Sequence, residues 1–170
     1  MTSRRLILMR HAKAEPFAST DLERVLTARG RKDALEAGTY LARTSTVPDH
    51  AVISSAVRAR ATWDAVAEGS GSTAEPQVDV SVFAGSSPEV VLDVLRAQPN
   101  DAGVVMFVGH NPAVAQVVHL LDDGNADPDA MRGLLTGYPV AALTVLEVEG
   151  PWSELAADSA RIVAFHVGKG

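Results

Sequence analysis

Apolar residues along this chain fall into short runs of strand length, separated by longer stretches with helical spacing. The runs are 5–9, 51–54, 78–83, 103–108, 141–148 and 161–167, each bounded by turn or polar residues. Between the first four, apolar positions recur every three or four residues. The stretch 27–43 places Ala34, Leu35, Gly38, Leu41 and Ala42 on one face, and 57–68 groups Ala61, Ala65 and Val66. The stretch 88–98 groups Val91, Val94 and Leu95, and 112–121 groups Val114, Val117, Val118 and Leu121. Thr27 reads as the N-cap of the first helix. Ser87 before Pro88, Asn111 before Pro112 and Asp127 before Pro128 read as caps ahead of first-turn prolines. Strand and helix therefore alternate through residue 121. This predicts an α/β fold, a three-layer sandwich with a mostly parallel, about six-stranded central sheet flanked by helices. The last two strands lack a long helix between them, which leaves open an antiparallel pairing or a longer connection.

Length and composition narrow the function classes. The 170 residues predict a single domain over 1–170, long enough to bury a core without disulfides or metals. There is no cysteine, which excludes a disulfide scaffold, a thiol nucleophile and a zinc–thiolate site. The net charge of -6 argues against nucleic acid as the main partner. Only Leu6 to Met9 form an apolar run near the N-terminus, too short for a signal-peptide core, and no stretch approaches membrane-spanning length. A cytoplasmic protein without a membrane partner is the default expectation.

In an open α/β sheet, ligands bind beyond the carboxyl ends of the strands. The first strand delivers Arg10 and His11 there. The second delivers Ser54 and Ser55, with Arg58 one turn into the next helix, and the fourth delivers Gly109 and His110. Two imidazoles and two guanidinium groups thus converge on one edge. Guanidinium groups fork onto phosphoryl oxygens through charge-assisted hydrogen bonds. A helix N-terminus after His110 adds partial positive charge, and Gly109 permits close backbone approach. A neutral imidazole can attack phosphorus, and a second can hydrogen-bond a transferring oxygen.

Four stretches in order carry a family resemblance: LMRHAKAE from Leu8, RVLTARG from Arg24, SSAVRARATWDAV from Ser54 and FVGHNP from Phe107. Together they resemble the histidine phosphatase superfamily, whose RHG signature is shared with phosphoglycerate mutases, and more closely its small SixA-like branch of phosphohistidine phosphatases. The resemblance implies a phosphoglycerate mutase-like fold. It makes His11 the nucleophile that becomes phosphorylated, Arg10 and Arg58 the phosphoryl ligands, and His110 the group completing the pocket. It implies neither metal nor organic cofactor. Ala12 stands where the family usually has glycine, and Ser55–Ala56 replaces its Ser-Pro, which affects loop geometry rather than the assignment of Arg58. Arg24 lies in the loop over the expected site, where substrate contact and a surface salt bridge are equal readings.

Larger relatives supply a carboxylic acid after the third strand to protonate an alkoxide leaving group. Here that region reads VFAGSSPEVV, and Glu89 there fits a helix-capping box with Ser86. Glu15 and Asp21 are the other candidate acids, and none of the three stands out. An imidazole leaving group needs less help, because its conjugate acid has a pKa of about 6.5. The leading expectation is a metal-independent phosphatase acting on a phosphoramidate or phosphomonoester through His11, with a phosphohistidine-bearing protein as substrate. A small-molecule phosphatase or mutase-like enzyme and an inactive phosphate-binding module are the alternatives. A zinc site from His11, His110 and a carboxylate ranks low, since the arginines repel a cation. Trp63 and Trp152 read as packing residues, His119 as a core or boundary histidine, and His50 and His166 lack partners by spacing.

Overall fold

The computed structural model describes residues 3–170. Its strands are β1 (Arg4–Arg10), β2 (His50–Ser54), β3 (Pro76–Asp79), β4 (Val104–Gly109), β5 (Ala142–Val148) and β6 (Ala160–Val167). Its helices are α1 (Ala28–Arg43), α2 (Val57–Ser70), α3 (Pro88–Arg96), α4 (Ala113–Leu121) and α5 (Pro128–Leu135). The strands form one six-stranded sheet in the order β3-β2-β4-β1-β5-β6. β1, β2, β3 and β4 run parallel; β5 pairs antiparallel with β1, and β6 antiparallel with β5. The pairing left open by the sequence is therefore antiparallel.

Alternation along the strands builds two cores. Leu6, Leu8, Val52, Val105 and Phe107 face one way, onto Val91, Leu92 and Leu95 of α3, Val114, Val117, Val118 and Leu121 of α4, and Ala130 and Leu134 of α5. Ile7, Met9, Ile53, Met106 and Val108 face the other way, onto Ala34, Ala37 and Leu41 of α1 and Ala59, Trp63, Ala65 and Val66 of α2. These continuous apolar strands suit a sheet covered on both sides. Both tryptophans are packing residues, and Trp152 Nε1 donates to the Ala102 carbonyl at 3.0 Å. The helix after β1 lies on one face and the helix after β4 on the other. β1 and β4 are neighbours, so a crevice opens between their carboxyl ends.

Several local expectations change. The third strand covers Pro76–Asp79 rather than 78–83. Asp79 Oδ1 takes the Ser81 amide at 2.8 Å and Ser86 Oγ takes the Phe83 amide at 2.8 Å, so side chains replace the ladder where the chain leaves the sheet. Ser86 is thereby consumed and no capping box with Glu89 forms; Glu89 pairs with Arg96 at 3.8 Å. Ser87 holds the cap position of α3 without a side-chain bond. α4 begins at Ala113, one residue later than expected, with Pro112 at its cap position. Thr27 and Asp127 do cap, accepting from Gly30 N at 2.9 Å and Ala130 N at 3.0 Å. His119 is exposed on α4, against the core reading. His50 pairs with Asp49, and His166 pairs with Glu36 at 2.7 Å while stacking on Tyr40.

α1 and α2 cross closely because glycine stands at both contact points. A Cβ on Gly38 would overlap the Val66 carbonyl, and one on Gly69 would overlap the Leu35 carbonyl. Helix propensity alone favours Gly38→Ala by about 1 kcal/mol. The overlap is with backbone, so overpacking outweighs it, and we expect a net loss of about 2 kcal/mol in urea unfolding. Unchanged stability would show that the two helices separate freely.

Candidate active site

His11 directly follows β1 and is pinned by its backbone. Its amide donates to the Gly109 carbonyl at 3.0 Å, and its carbonyl accepts from Ala141 N at 3.1 Å. The next amide, of Ala12, donates to Thr62 Oγ1 at 3.0 Å, and that hydroxyl donates to the Arg58 carbonyl at 2.7 Å. The backbone at His11 and Ala12 is thus tied to β4, to the residue before β5 and to α2. Thr62 carries no signal as a site residue on its own. Its position four residues after Arg58, on the same face of α2, is the signal that could have found it.

Arg58 lies between the two histidines. Its Nε donates to His11 Nε2 at 3.3 Å and its Nη2 donates to His110 Nδ1 at 3.3 Å. The rings are 5.3 Å apart between centroids. All three residues are buried, at 8%, 2% and 5% exposure for His11, Arg58 and His110. A guanidinium only donates, so each imidazole nitrogen facing it carries a lone pair. His11 is therefore neutral with its proton on Nδ1, which donates to the Ala12 carbonyl at 2.8 Å. His110 is neutral with its proton on Nε2, which donates to Ser54 Oγ at 2.7 Å. Burial pushes the His11 pKa down to about 4, helped by the charges of Arg58, Arg10 and Arg24. Burial and Arg58 push His110 down to about 3.

Arg10 ends β1 and its Nη1 donates to the Tyr138 carbonyl at 3.1 Å. Its Nε is buried and has no acceptor among the described residues, so it is a donor free to meet a ligand oxygen. Asn111 Nδ2 donates to the same carbonyl at 2.9 Å, while the Tyr138 hydroxyl donates to the Leu8 carbonyl at 2.6 Å. Asn111 thus organises the site rather than simply capping α4. A Cβ at Gly109 would overlap the Phe107 ring, so the glycine is required for packing as well.

The four residues named from sequence, Arg10, His11, Arg58 and His110, come together. Arg24 sits beside them: its Nη1 donates to Asp21 Oδ1 at 3.1 Å and its Nε to the Glu15 carbonyl at 2.8 Å. Asp21 Oδ2 in turn accepts from Arg58 Nη2 at 3.0 Å. Hydrogen bonding to Arg24, then to Arg58, holds the Asp21 carboxyl below the usual range. Asp21 is thus ionised and is no proton donor. Among the described residues, no group of three or more His, Asp or Glu side chains is placed to hold a metal ion.

The fold and these side chains together gather two guanidinium groups and two neutral imidazoles at the carboxyl edge of a mostly parallel sheet covered on both faces. The sequence profile of the histidine phosphatase superfamily (branch 1) matches residues 6–81. An uncharacterized protein of Mycobacterium leprae is 30% identical over 164 residues, covering 94% of this chain and 99% of that protein. A structure from Nakamurella multipartitia, provisionally assigned as phosphohistidine phosphatase SixA, superposes with a TM-score of 0.86 at 29% identity, over 99% of this chain and 98% of that one. The protein histidine phosphatase SixA in complex with tungstate shares the fold, with a TM-score of 0.78 at 19% identity over 96% of each chain. The chain belongs to the histidine phosphatase superfamily.

Both histidines have folded-state pKa values below their unfolded value of about 6.5. Between pH 6.5 and about 4 the unfolded chain binds protons at these positions that the folded chain does not. Stability therefore falls as pH drops through this window and rises with pH across it. Urea midpoints measured from pH 7 to pH 4 should decline, and the decline should be shallower in His11→Gln/His110→Gln. An equal slope in that variant would contradict the neutral assignment.

Proposed function

We propose that this protein is a metal-independent phosphatase that passes the phosphoryl group of a protein phosphohistidine through His11. One observation carries the reading: a buried, neutral imidazole presents its Nε2 lone pair beside the Arg58 guanidinium. Nε2 gives up the Arg58 Nε–H and attacks phosphorus, forming a phosphorus–nitrogen bond as the bond to the substrate imidazole breaks; that ring, protonated from solvent on its other nitrogen, leaves as neutral imidazole. The unpartnered Nε of Arg10 and the Arg58 guanidinium take the charge spread over the transferring oxygens. Water then attacks phosphorus, the bond to His11 breaks, and inorganic phosphate leaves. His110 keeps the cradle closed on the side of Ser54.

The substrate class follows from the leaving group. Of the three carboxylates weighed, Asp21 is ionised by its arginines, Glu89 faces Arg96, and Glu15 is exposed with only its backbone bonded to the loop. An alkoxide needs a proton from such a group, whereas the substrate imidazole takes its proton from solvent on the nitrogen away from phosphorus and leaves as neutral imidazole. The mouth of the pocket adds support for a protein substrate. Phe17, Leu22 and Val25, on the loop that carries Asp21 and Arg24, are exposed by 87%, 50% and 51%. A small phosphate ester does not need such a surface, but a protein flank does.

Incubation with a phosphohistidine peptide should label the protein with an acid-labile, base-stable phosphate, and His11→Ala should abolish label and turnover. Arg10→Ala and Arg58→Ala should each lower kcat/KM by roughly a hundredfold, about 3 kcal/mol of transition-state stabilisation. Faster hydrolysis of simple alkyl phosphates than of phosphohistidine would overturn the substrate assignment.

The loop surface has its own test. Phe17→Ser/Leu22→Ser should slow dephosphorylation of a phosphohistidine protein several-fold while leaving hydrolysis of phosphoramidate itself unchanged. Equal effects on both substrates would remove the protein-docking role.

A further inference from the structure

The proposed reaction leaves one side chain in the pocket unused. Asp21 opens a short 3-10 turn, Asp21–Glu23, on the loop between β1 and α1. Its Oδ2 accepts from Arg58 Nη2 at 3.0 Å and its Oδ1 from Arg24 Nη1 at 3.1 Å, so one carboxylate bridges two guanidinium groups. Its backbone carbonyl accepts from Arg58 Nη1 at 2.7 Å. A guanidinium has five N–H donors. Four bonds from Arg58 go to His11, His110 and the two Asp21 oxygens, which leaves a single N–H uncommitted among the described residues. A forked grip on a phosphoryl group needs two. One existing partner must therefore let go whenever an oxyanion is held in that way.

The partners are not equally able to leave. In the binding step, before His11 Nε2 gives its lone pair to phosphorus, the two imidazoles stay buried and fixed by their neighbours, whereas the Asp21 side chain is 61% exposed. Water can take over its solvation, so its departure costs little desolvation. A carboxylate and a phosphoryl group also compete for the same kind of charge-assisted donor.

We propose that Asp21 is an internal competitor for the phosphoryl group. Its carboxylate holds Arg58 and Arg24 in the empty pocket and turns into solvent when a phosphorylated ligand enters. It reclaims both arginines as inorganic phosphate departs. Arg24 then becomes a third cation available to the ligand, which joins the salt bridge and the substrate contact weighed for it into one cycle. The competition weakens every oxyanion that binds through the phosphoryl pocket alone. It therefore favours a phosphorylated partner that gains contacts elsewhere over the free phosphate that the reaction releases. Asp21 touches no reacting atom; it is a positioning and selectivity residue acting through the two arginines.

The inference rests on reading the pocket as a phosphoryl site, and its test separates anion binding from turnover. Tungstate and inorganic phosphate binding are measured by calorimetry on the full chain, alongside hydrolysis of phosphoramidate. Asp21→Asn removes the charge and keeps the backbone carbonyl. Its dissociation constants for both anions should fall about tenfold, equivalent to about 1.4 kcal/mol, and product inhibition should strengthen by a similar factor. Asp21→Glu keeps the charge and should bind both anions as weakly as the wild type. If Asp21 served only to orient Arg58, Asp21→Asn would bind the anions more weakly or equally, and the proposal fails. It fails too if Asp21→Glu tightens binding as much as Asp21→Asn. Tight anion binding with no turnover in the wild type would instead sink the phosphatase reading and leave the competition intact.

Discussion

The guanidinium of Arg58, buried between two imidazoles, is the constraint on which the site depends. Because it can only donate, it dictates which nitrogen of each ring carries a lone pair. It faces His11 Nε2 and His110 Nδ1, so both protons are displaced to the far nitrogens, where Ala12 O and Ser54 Oγ receive them. Its charge also opposes protonation of either ring, and burial acts in the same direction. A buried charge is costly unless its donors are engaged. Here every nitrogen of the guanidinium has an acceptor, supplied by the two rings and by Asp21. One residue therefore fixes the orientation of the proposed nucleophile, its protonation state and the position of the loop above it.

The fold supplies that residue with its neighbours through the sheet. β1, β2 and β4 run parallel and end together, so His11, Ser54 and His110 reach one edge without any long loop. α4 packs on the face that carries Leu6 and Leu8 of β1, and α1 on the face that carries Ile7 and Met9. The crevice between them is a consequence of this division, and α2 delivers Arg58 into it from its first turn. An acidic chain can carry so cationic a pocket because charges placed on the far sides of the sheet are screened over a Debye length of about 8 Å.

The sheet and its layers were legible in the sequence because both depend on apolar spacing, which is a local signal. The site was legible where strand ends carry its residues: Arg10, His11, Ser54 and His110. What remained hidden depends on contacts between distant parts of the chain. The Tyr138 carbonyl that holds Arg10 and the Glu36 carboxylate that holds His166 lie 128 and 130 residues away from their partners. No spacing rule reaches that far. The third strand was misplaced for a different reason: Asp79 and Ser86 offer the backbone side-chain partners that compete with the ladder, and an edge strand has only β2 to resist them. The apolar spacing of α4 predicts His119 in the core or at its boundary, and it lies exposed because spacing does not locate the edge of an apolar stripe.

On the proposed reading, the lack of a proton donor among the three carboxylates weighed and the cationic character of the cradle have one cause. A carboxylic acid stays protonated near neutral pH only when desolvation or a neighbouring anion raises its pKa. In this pocket the carboxylate nearest the imidazoles is surrounded by Arg24 and Arg58, which lower it. Any carboxyl close enough to reach a leaving group beside Arg58 meets the same field. A pocket with this density of cations therefore suits a leaving group that takes its proton from solvent. On the proposed reading this favours phosphorus–nitrogen over phosphorus–oxygen cleavage, since imidazole departs readily where an alkoxide does not. The cations that make the anion welcome thus also decide which bond to phosphorus the site can break.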